Sequence, residues 1–418
     1  MHYHFEKGVR TPAESNETGL DGFVGICCEK NSFDLYVPYG FYYDRNKENF
    51  SDIRGQILDI LLPIEITKRE NPSLFSSAGD EDNCLLFDAY KKLIDDYLVN
   101  GRFFESIKVI SHLGNGKINW KKTRQGKKIF EEDRVVFENR LYSSNRKEEN
   151  LISSLQLYCL RKAKESIGVL YEDFFVPSSS IKEDEIDRDI LILKRILSQT
   201  YNDRKKKIID WILIILDSNS GYRAHNQSEF GTRCYEVVWE ERLRKIYGNT
   251  SEKDYFPQGH YYLKNDSKAK DISYLRPDII HEEKEEIYIL DAKYYSYGCS
   301  KDRNYTHLPA TESLSKQMNY ARYALKRMGK DSKVLKVIYN AFVLPLSRDE
   351  ESQTGLEYFG YGSVDGYQGE TYTQIYLFGI QTNKLISCYL SHTKAPDLIG
   401  EINSEANRYQ AQYQKEEK

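Results

Sequence analysis

Apolar positions along the chain follow two periods, and the switches between them outline the elements. Residues 23–28 and 33–38 are short runs rich in β-branched and aromatic side chains, which predicts strands. Residues 52–66 and 85–99 carry apolar positions three and four apart, which predicts helices, and longer helical patterns cover 149–166 and 183–216. A polar stretch with two glycines at 217–232 then separates two helical patterns. Beyond it the order is helix (235–247), strand (274–280), strand (287–295), helix (311–328) and strand (334–344). Further strands are expected at 355–364 and 376–387, and a polar tail that frays from 403. The resulting division is an α+β N-terminal domain (1–217), a linker (218–232), an α/β domain with a mixed sheet flanked by helices (233–402), and a tail (403–418).

Composition fits that outline. A chain of 418 residues is long for one core, and 40% hydrophobic content is ample for two. No apolar run approaches membrane-spanning length; the strongest, 211–216, is too short. Met1-His-Tyr-His-Phe5 lacks a signal-peptide pattern. Seven cysteines are scattered without a CxxC pair, which points to reduced thiols in a cytoplasmic setting and away from structural zinc. There is no GxxxxGK[ST] phosphate loop, and the glycines of 360–369 suit turns. The formal net charge is -4, so any nucleic-acid contact must come from local patches. The clearest patch, 116–128, holds Lys117, Lys121, Lys122 and Arg124 around Trp120. Lysine and arginine there would bind phosphates and the indole would stack. The plainer alternative is a solvated loop that Trp120 anchors to the core. A second basic run, 204–207, falls inside a helical pattern and suits a solvated face.

The candidate chemistry sits on the two strands that follow the boundary. Asp291-Ala-Lys293 ends the apolar run Ile287-Tyr-Ile-Leu290, and strand alternation puts Asp291 and Lys293 on one face. Arg276-Pro277-Asp278 lies on the strand before, with acidic residues 282–286 as the turn, so Asp278 would stand beside Asp291 across a hairpin. Pro277 cannot donate to a ladder and suggests an edge or bulge. Two carboxylates and the Ala292 carbonyl would suit Mg2+, and Lys293 would orient a nucleophile or stabilise developing charge on a phosphate. The alternative is a surface ion pair on an ordinary hairpin. Against it, charges at the end of so apolar a strand are costly unless paired or liganded. Two helices flank the pair. Glu236 and Glu240 share one face of 235–247, with Arg244 as a salt-bridge partner if both are merely solvated. On 311–328, Thr311 is a candidate N-cap, Leu314, Met318, Ala321 and Leu325 recur at helical spacing, and Tyr320 suits packing rather than chemistry; Lys316 and Arg322 are phosphate contacts or, more commonly, solvated charges.

These residues carry a resemblance. Pro277-Asp278 followed by Asp291-Ala-Lys293 resembles the PD-(D/E)XK nuclease signature. Leu275-Arg-Pro-Asp278 with Leu290-Asp-Ala-Lys-Tyr-Tyr295 is most similar to the LlaJI and McrC branch of restriction nucleases. Gly116-Lys-Ile-Asn-Trp-Lys-Lys-Thr123 resembles a segment ahead of the nuclease domain in LlaJI-type proteins. The resemblance implies a restriction-endonuclease-like core and an Mg2+-dependent, type II-like endonuclease that cuts foreign, unmethylated double-stranded DNA. It would be the nuclease subunit of a multi-subunit system such as BsuMI, with an McrB-like AAA+ GTPase and a cognate DNA methyltransferase as partners. In such nucleases a helix glutamate helps hold the metal directly or through water; Glu240 after Trp239 is the better match and Glu236 the second. Gln317 would support the site, although many relatives space the Gln–Tyr pair one residue wider. Two other readings keep the same core: a non-catalytic DNA-binding or scaffolding subunit, and a DNA-repair nuclease. Intact Asp278, Asp291 and Lys293 favour cutting over scaffolding.

Overall fold

The computed structural model describes residues 2–6, 9–15, 22–28, 32–44, 49–75, 83–112, 114, 116–132, 134–217, 228–250, 255–264, 269–283, 285–300, 302–331, 337–347, 354–366 and 371–416. In chain order the first elements are β1 (His2–Glu6), β2 (Val9–Ser15), β3 (Val24–Cys28), β4 (Ser32–Tyr36) and α1 (Phe50–Glu70). Then come α2 (Asn83–Asn100), β5 (Glu105–Ser111), β6 (Lys117–Ile118), α3 (Trp120–Thr123), β7 (Lys128–Glu131), β8 (Arg134–Phe137) and β9 (Tyr142–Glu148). Next are α4 (Leu151–Ile167), α5 (Ile186–Gln199), α6 (Asp203–Asp217), β10 (Ser228–Thr232) and α7 (Tyr235–Tyr247). The final part holds β11 (Gln258–Tyr261), β12 (Lys270–Tyr274), β13 (Ile279–Glu283), β14 (Glu286–Ala292), α8 (Thr311–Asp331) and β15 (Val337–Leu346). It closes with β16 (Leu356–Gly362), β17 (Ile375–Gln381), α9 (Thr382–Ser391) and α10 (Leu398–Glu416).

The fold is mixed α/β, and its contacts divide it into two units. One comprises Met1–Cys84 with Glu229–Lys418, the other Leu85–Ser228. This partition differs from the division expected from the sequence, because the first strands and α1 group with the C-terminal part. Their sheet has the order β10-β3-β4-β1-β2, so a strand near residue 230 completes a sheet begun near residue 2. Two glycines allow the approach. A Cβ on Gly25, at φ +151°, would lie 2.2 Å from the Phe230 carbonyl oxygen, and one on Gly231 2.2 Å from that of Val24. Within the expected linker, 218–227 lie outside the described residues and 228–232 form β10.

The larger unit is built on a five-stranded sheet of order β13-β14-β15-β17-β16. β14, β15 and β17 are parallel, and β13 and β16 run antiparallel at the two edges. Both faces are covered. Trp239, Leu243, Tyr288, Leu290, Leu398 and Ile402 pack together on the side of α7, α9 and α10, whereas Ile287, Ile289, Tyr320 and Ala321 pack together on the side of α8. Each fully buried large side chain of this kind contributes roughly 1.5–3 kcal/mol. α1 packs on α7, α9 and β3, and the Tyr39 N–H donates to the Tyr294 hydroxyl at 2.7 Å.

Several expected elements are redrawn. The 183–216 pattern is two helices, since Thr200 is extended and the Asn202 side chain accepts from Lys205 N–H to start α6. The strand expected at 274–280 is interrupted, because Pro277 lacks an N–H; β12 stops at Tyr274 and β13 starts at Ile279. The 376–387 run is the strand β17 followed at once by the helix α9, a distinction that a continuous apolar run does not encode. The expected tail from 403 continues α10, where Ile402 and Ala406 are buried against the sheet.

The smaller unit holds helices α4 to α6, a sheet of order β5-β9-β6 and the separate hairpin β7–β8. Asn150 caps α4 through a reciprocal pair with Ser153.

Candidate active site

β14 is paired on both sides, to β13 and to β15, which fixes the direction of every side chain on it. Alternation sends Tyr288 and Leu290 to one core and Ile287 and Ile289 to the other; Asp291 continues the second set. Asp291 is only 3% exposed. Lys293 lies just past the strand end, where its N–H donates to the Val343 carbonyl at 2.9 Å. Its Nζ lies 2.6 Å from Asp291 Oδ2, an ion contact without hydrogen-bond alignment. It also stands 5.5 Å from the Phe342 ring centroid.

Asp278 occupies the bend before β13. Ile279 pairs with Leu290, so Asp278 falls beside Asp291 at the open end of the hairpin. Its Oδ2 accepts from the Ala292 N–H at 2.8 Å. The loop that carries it is held by its backbone from two helices. Arg244 Nε of α7 donates to the Asp278 carbonyl at 2.9 Å, and the Tyr320 hydroxyl of α8 donates to the Arg276 carbonyl at 2.8 Å. The rest of the Arg244 fork goes to Glu240 and, at 2.8 Å, to Glu241.

Electrostatically these groups act as one cluster. Burial, then Asp291, then Glu240 push the Asp278 carboxyl up to about 8. Glu240 is also raised, chiefly by burial; Arg244 opposes the rise and Asp291 adds to it. Glu236, the second choice for the helix acid, is exposed. Gln317 is buried, and its Nε2 donates to the Ile289 carbonyl at 2.7 Å, one residue from Leu290 and two from Asp291. Its Oε1 is buried without a hydrogen-bond partner.

Carboxylate oxygens are the donor type a hard divalent cation takes, and here they stand in a half-dry site where burial first, and then the neighbouring acids, raise the Asp278 carboxyl. Among the described residues, however, no group of three or more His, Cys, Asp or Glu could hold a metal. Glu240, the third acid of the expected set, is engaged by Arg244. Two carboxylates and a backbone carbonyl remain, enough for an ion that keeps several waters.

Arg244 and Tyr320 are the site residues that sequence reasoning did not assign to it. Arg244 was visible as a salt-bridge partner one turn from Glu240, but its bond to a backbone carbonyl 34 residues away leaves no local signature. The expected DNA-contact residues Lys117, Trp120, Lys121, Lys122 and Arg124 are all exposed, in the smaller unit. Trp120 is 49% exposed and meets Phe137 of the β7–β8 hairpin edge-on, with centroids 6.2 Å apart, so it does not anchor the segment in a core.

The sequence model of the LlaJI restriction endonuclease family matches residues 23–366. No curated protein matches significantly. Among solved structures, a refined half-complex from a tetradecameric assembly of Thermococcus gammatolerans McrB AAA+ hexamers with bound McrC aligns at 12% identity and a TM-score of 0.33, over 89% of this chain and 82% of that one. No described helix is long and apolar enough to cross a membrane.

Proposed function

The chain belongs to the LlaJI restriction endonuclease family, and from that premise we propose that it is the DNA-cutting subunit of a restriction system, with a PD-(D/E)XK centre that uses Mg2+. Membership itself implies a nuclease in a restriction system. The observation that carries the finer reading is the pairing of Asp278 with Asp291 at one strand end, with Lys293 Nζ 2.6 Å from Asp291. When bound, Mg2+ supplies charge neutralisation on the phosphate and acidifies a water. Asp278 and Asp291 would hold it with the Ala292 carbonyl, and Glu240 would reach it through water. Lys293 would orient the attacking water and stabilise charge that develops on the phosphate. Gln317 keeps β14 in place through the Ile289 carbonyl, so the acids do not drift as charge accumulates.

The substrate is double-stranded DNA, foreign and unmethylated, cut in the cytoplasm in the manner of a type II-like enzyme of a BsuMI-like system. The exposed cations Lys117, Lys121, Lys122 and Arg124 with Trp120 give the smaller unit a phosphate-binding surface. The sequence has no nucleotide-binding phosphate loop, which supports an McrB-like AAA+ GTPase as a separate motor, and a cognate DNA methyltransferase would protect the host. The test is incubation of supercoiled plasmid with the full chain, alone and with its AAA+ partner and GTP. Cutting in Mg2+ and none in EDTA supports the proposal; equal cutting in EDTA overturns it.

A further inference from the structure

Directly upstream of Asp278 stands the two-stranded sheet β11–β12, which pairs with no other strand among the described residues. An isolated hairpin is marginal in water, and this one spends few side chains on burial. Tyr262 is 82% exposed, Tyr261 59% and Tyr274 46%. Lys264 is exposed beside them. Residues 255–276 carry four basic side chains against two acidic ones in a chain of net charge -4, and one acid, Asp271, is bonded by His260 at 2.7 Å. The base of the hairpin is closed two residues before Asp278. The Leu275 N–H donates to the Pro257 carbonyl at 3.0 Å, and the Arg276 guanidinium lies 5.6 Å from the Phe256 ring centroid. From Tyr274 the chain reaches Asp278 in four residues, a span of at most about 14 Å. That is about four base steps along one DNA strand.

We propose that the β11–β12 hairpin grips the DNA flanking the cut, with Lys264 on a phosphate and Tyr261 and Tyr262 packed on sugar and base. Aromatic faces next to cations suit a nucleic-acid strand, because stacking serves any base and the ammonium serves the backbone. A protein partner would leave the basic excess unexplained. The inference rests on the nuclease reading for its substrate, but it can fail separately from it.

The test is fluorescence anisotropy with the full chain and a labelled 30-bp duplex, in EDTA so that binding is read alone. The variants are Tyr261→Ala with Tyr262→Ala, Lys264→Ala, and Asp291→Ala as reference; far-UV circular dichroism and melting temperature confirm that each folds. The double tyrosine variant is expected to bind about tenfold more weakly. Lys264→Ala is expected to lower the slope of log affinity against log salt by about one. Asp291→Ala is expected to bind at least as tightly as wild type. Tyrosine-variant affinity within twofold of wild type, with an unchanged salt slope for Lys264→Ala, overturns the proposal. So does a tyrosine variant that keeps its DNA affinity but loses self-association in sedimentation, which would make the hairpin a contact between copies of the chain. If the tyrosine variant binds weakly while Asp291→Ala still cuts, the hairpin proposal stands and the catalytic assignment falls.

Discussion

The carboxylate of Asp278 accepts a hydrogen bond from the backbone N–H of Ala292 at 2.8 Å, across the end of the β13–β14 hairpin. That bond ties a loop acid to the residue between Asp291 and Lys293. It forces two carboxylates into one half-dry space, where they cannot both ionise freely. The remaining features of the centre follow from that crowding.

The first consequence is a pH-dependent stability. The folded carboxyl of Asp278 titrates near 8, against an ordinary value of 3.8, so the fold prefers the protonated form. Its contribution is intact below about pH 4 and is lost as the pH rises towards 8. Asp278→Asn should therefore stabilise the metal-free protein at pH 8 by roughly 1–3 kcal/mol, and have little effect near pH 4. Urea unfolding in EDTA at both values reads this. Equal stabilities of variant and wild type at pH 8 would contradict it.

Metal affinity should mirror that trend. A divalent cation competes with the proton on Asp278, so apparent Mg2+ or Mn2+ affinity of the full chain rises with pH and flattens above about 8. Calorimetric titration in buffers of different ionisation enthalpy should show proton release at pH 7. Binding without pH dependence would remove Asp278 from the ligand set.

Arg244 makes a second measurable link, because one guanidinium bonds Glu240, Glu241 and the Asp278 carbonyl. Arg244→Ala leaves the nearly buried Glu241 unpaired and should cost roughly 1–3 kcal/mol of stability. Cutting should fall roughly 10- to 100-fold as the Asp278 loop shifts. Arg244→Lys, which keeps the charge but not the fork, should recover only part of the rate. Full activity in the lysine variant would show that charge alone suffices.

Gln317 is a test of support rather than chemistry. Gln317→Ala removes the side-chain bond to the Ile289 carbonyl in a dry core and should destabilise the protein by roughly 0.5–1.5 kcal/mol. Chemical denaturation checks this, and a loss under about 0.5 kcal/mol would mean that the bond contributes little.

The local parts of this design are legible in the sequence, and the long-range parts are not. Residues 235–247 form α7 with the bounds their periodicity predicts, since Val238, Trp239 and Leu243 occur at helical spacing and all are buried. The run Ile287–Leu290 is apolar on both faces, and β14 is a covered strand between two neighbours. The nearness of Asp278 to Asp291 also follows from a short hairpin. By contrast, β10 joins β3 across about 200 residues through Gly25 and Gly231, and no periodicity reports such a pairing. The 376–387 run hides a strand-to-helix switch at Thr382, and the polar look of the chain after 403 hides Ala406, which fills the core. Arg244 needed the third dimension, because its most telling acceptor is a backbone carbonyl.

If Asp291 works in DNA cutting and is not merely one half of a buried ion pair, its amide variant folds but does not cut. Asp291→Asn keeps the shape, so the direct measurement is plasmid cleavage by this variant and wild type in Mg2+, with unfolding curves recorded on the same samples. The expected result is a folded variant whose cutting rate falls by at least about 10²-fold. A folded Asp291→Asn that cuts as fast as wild type would contradict it.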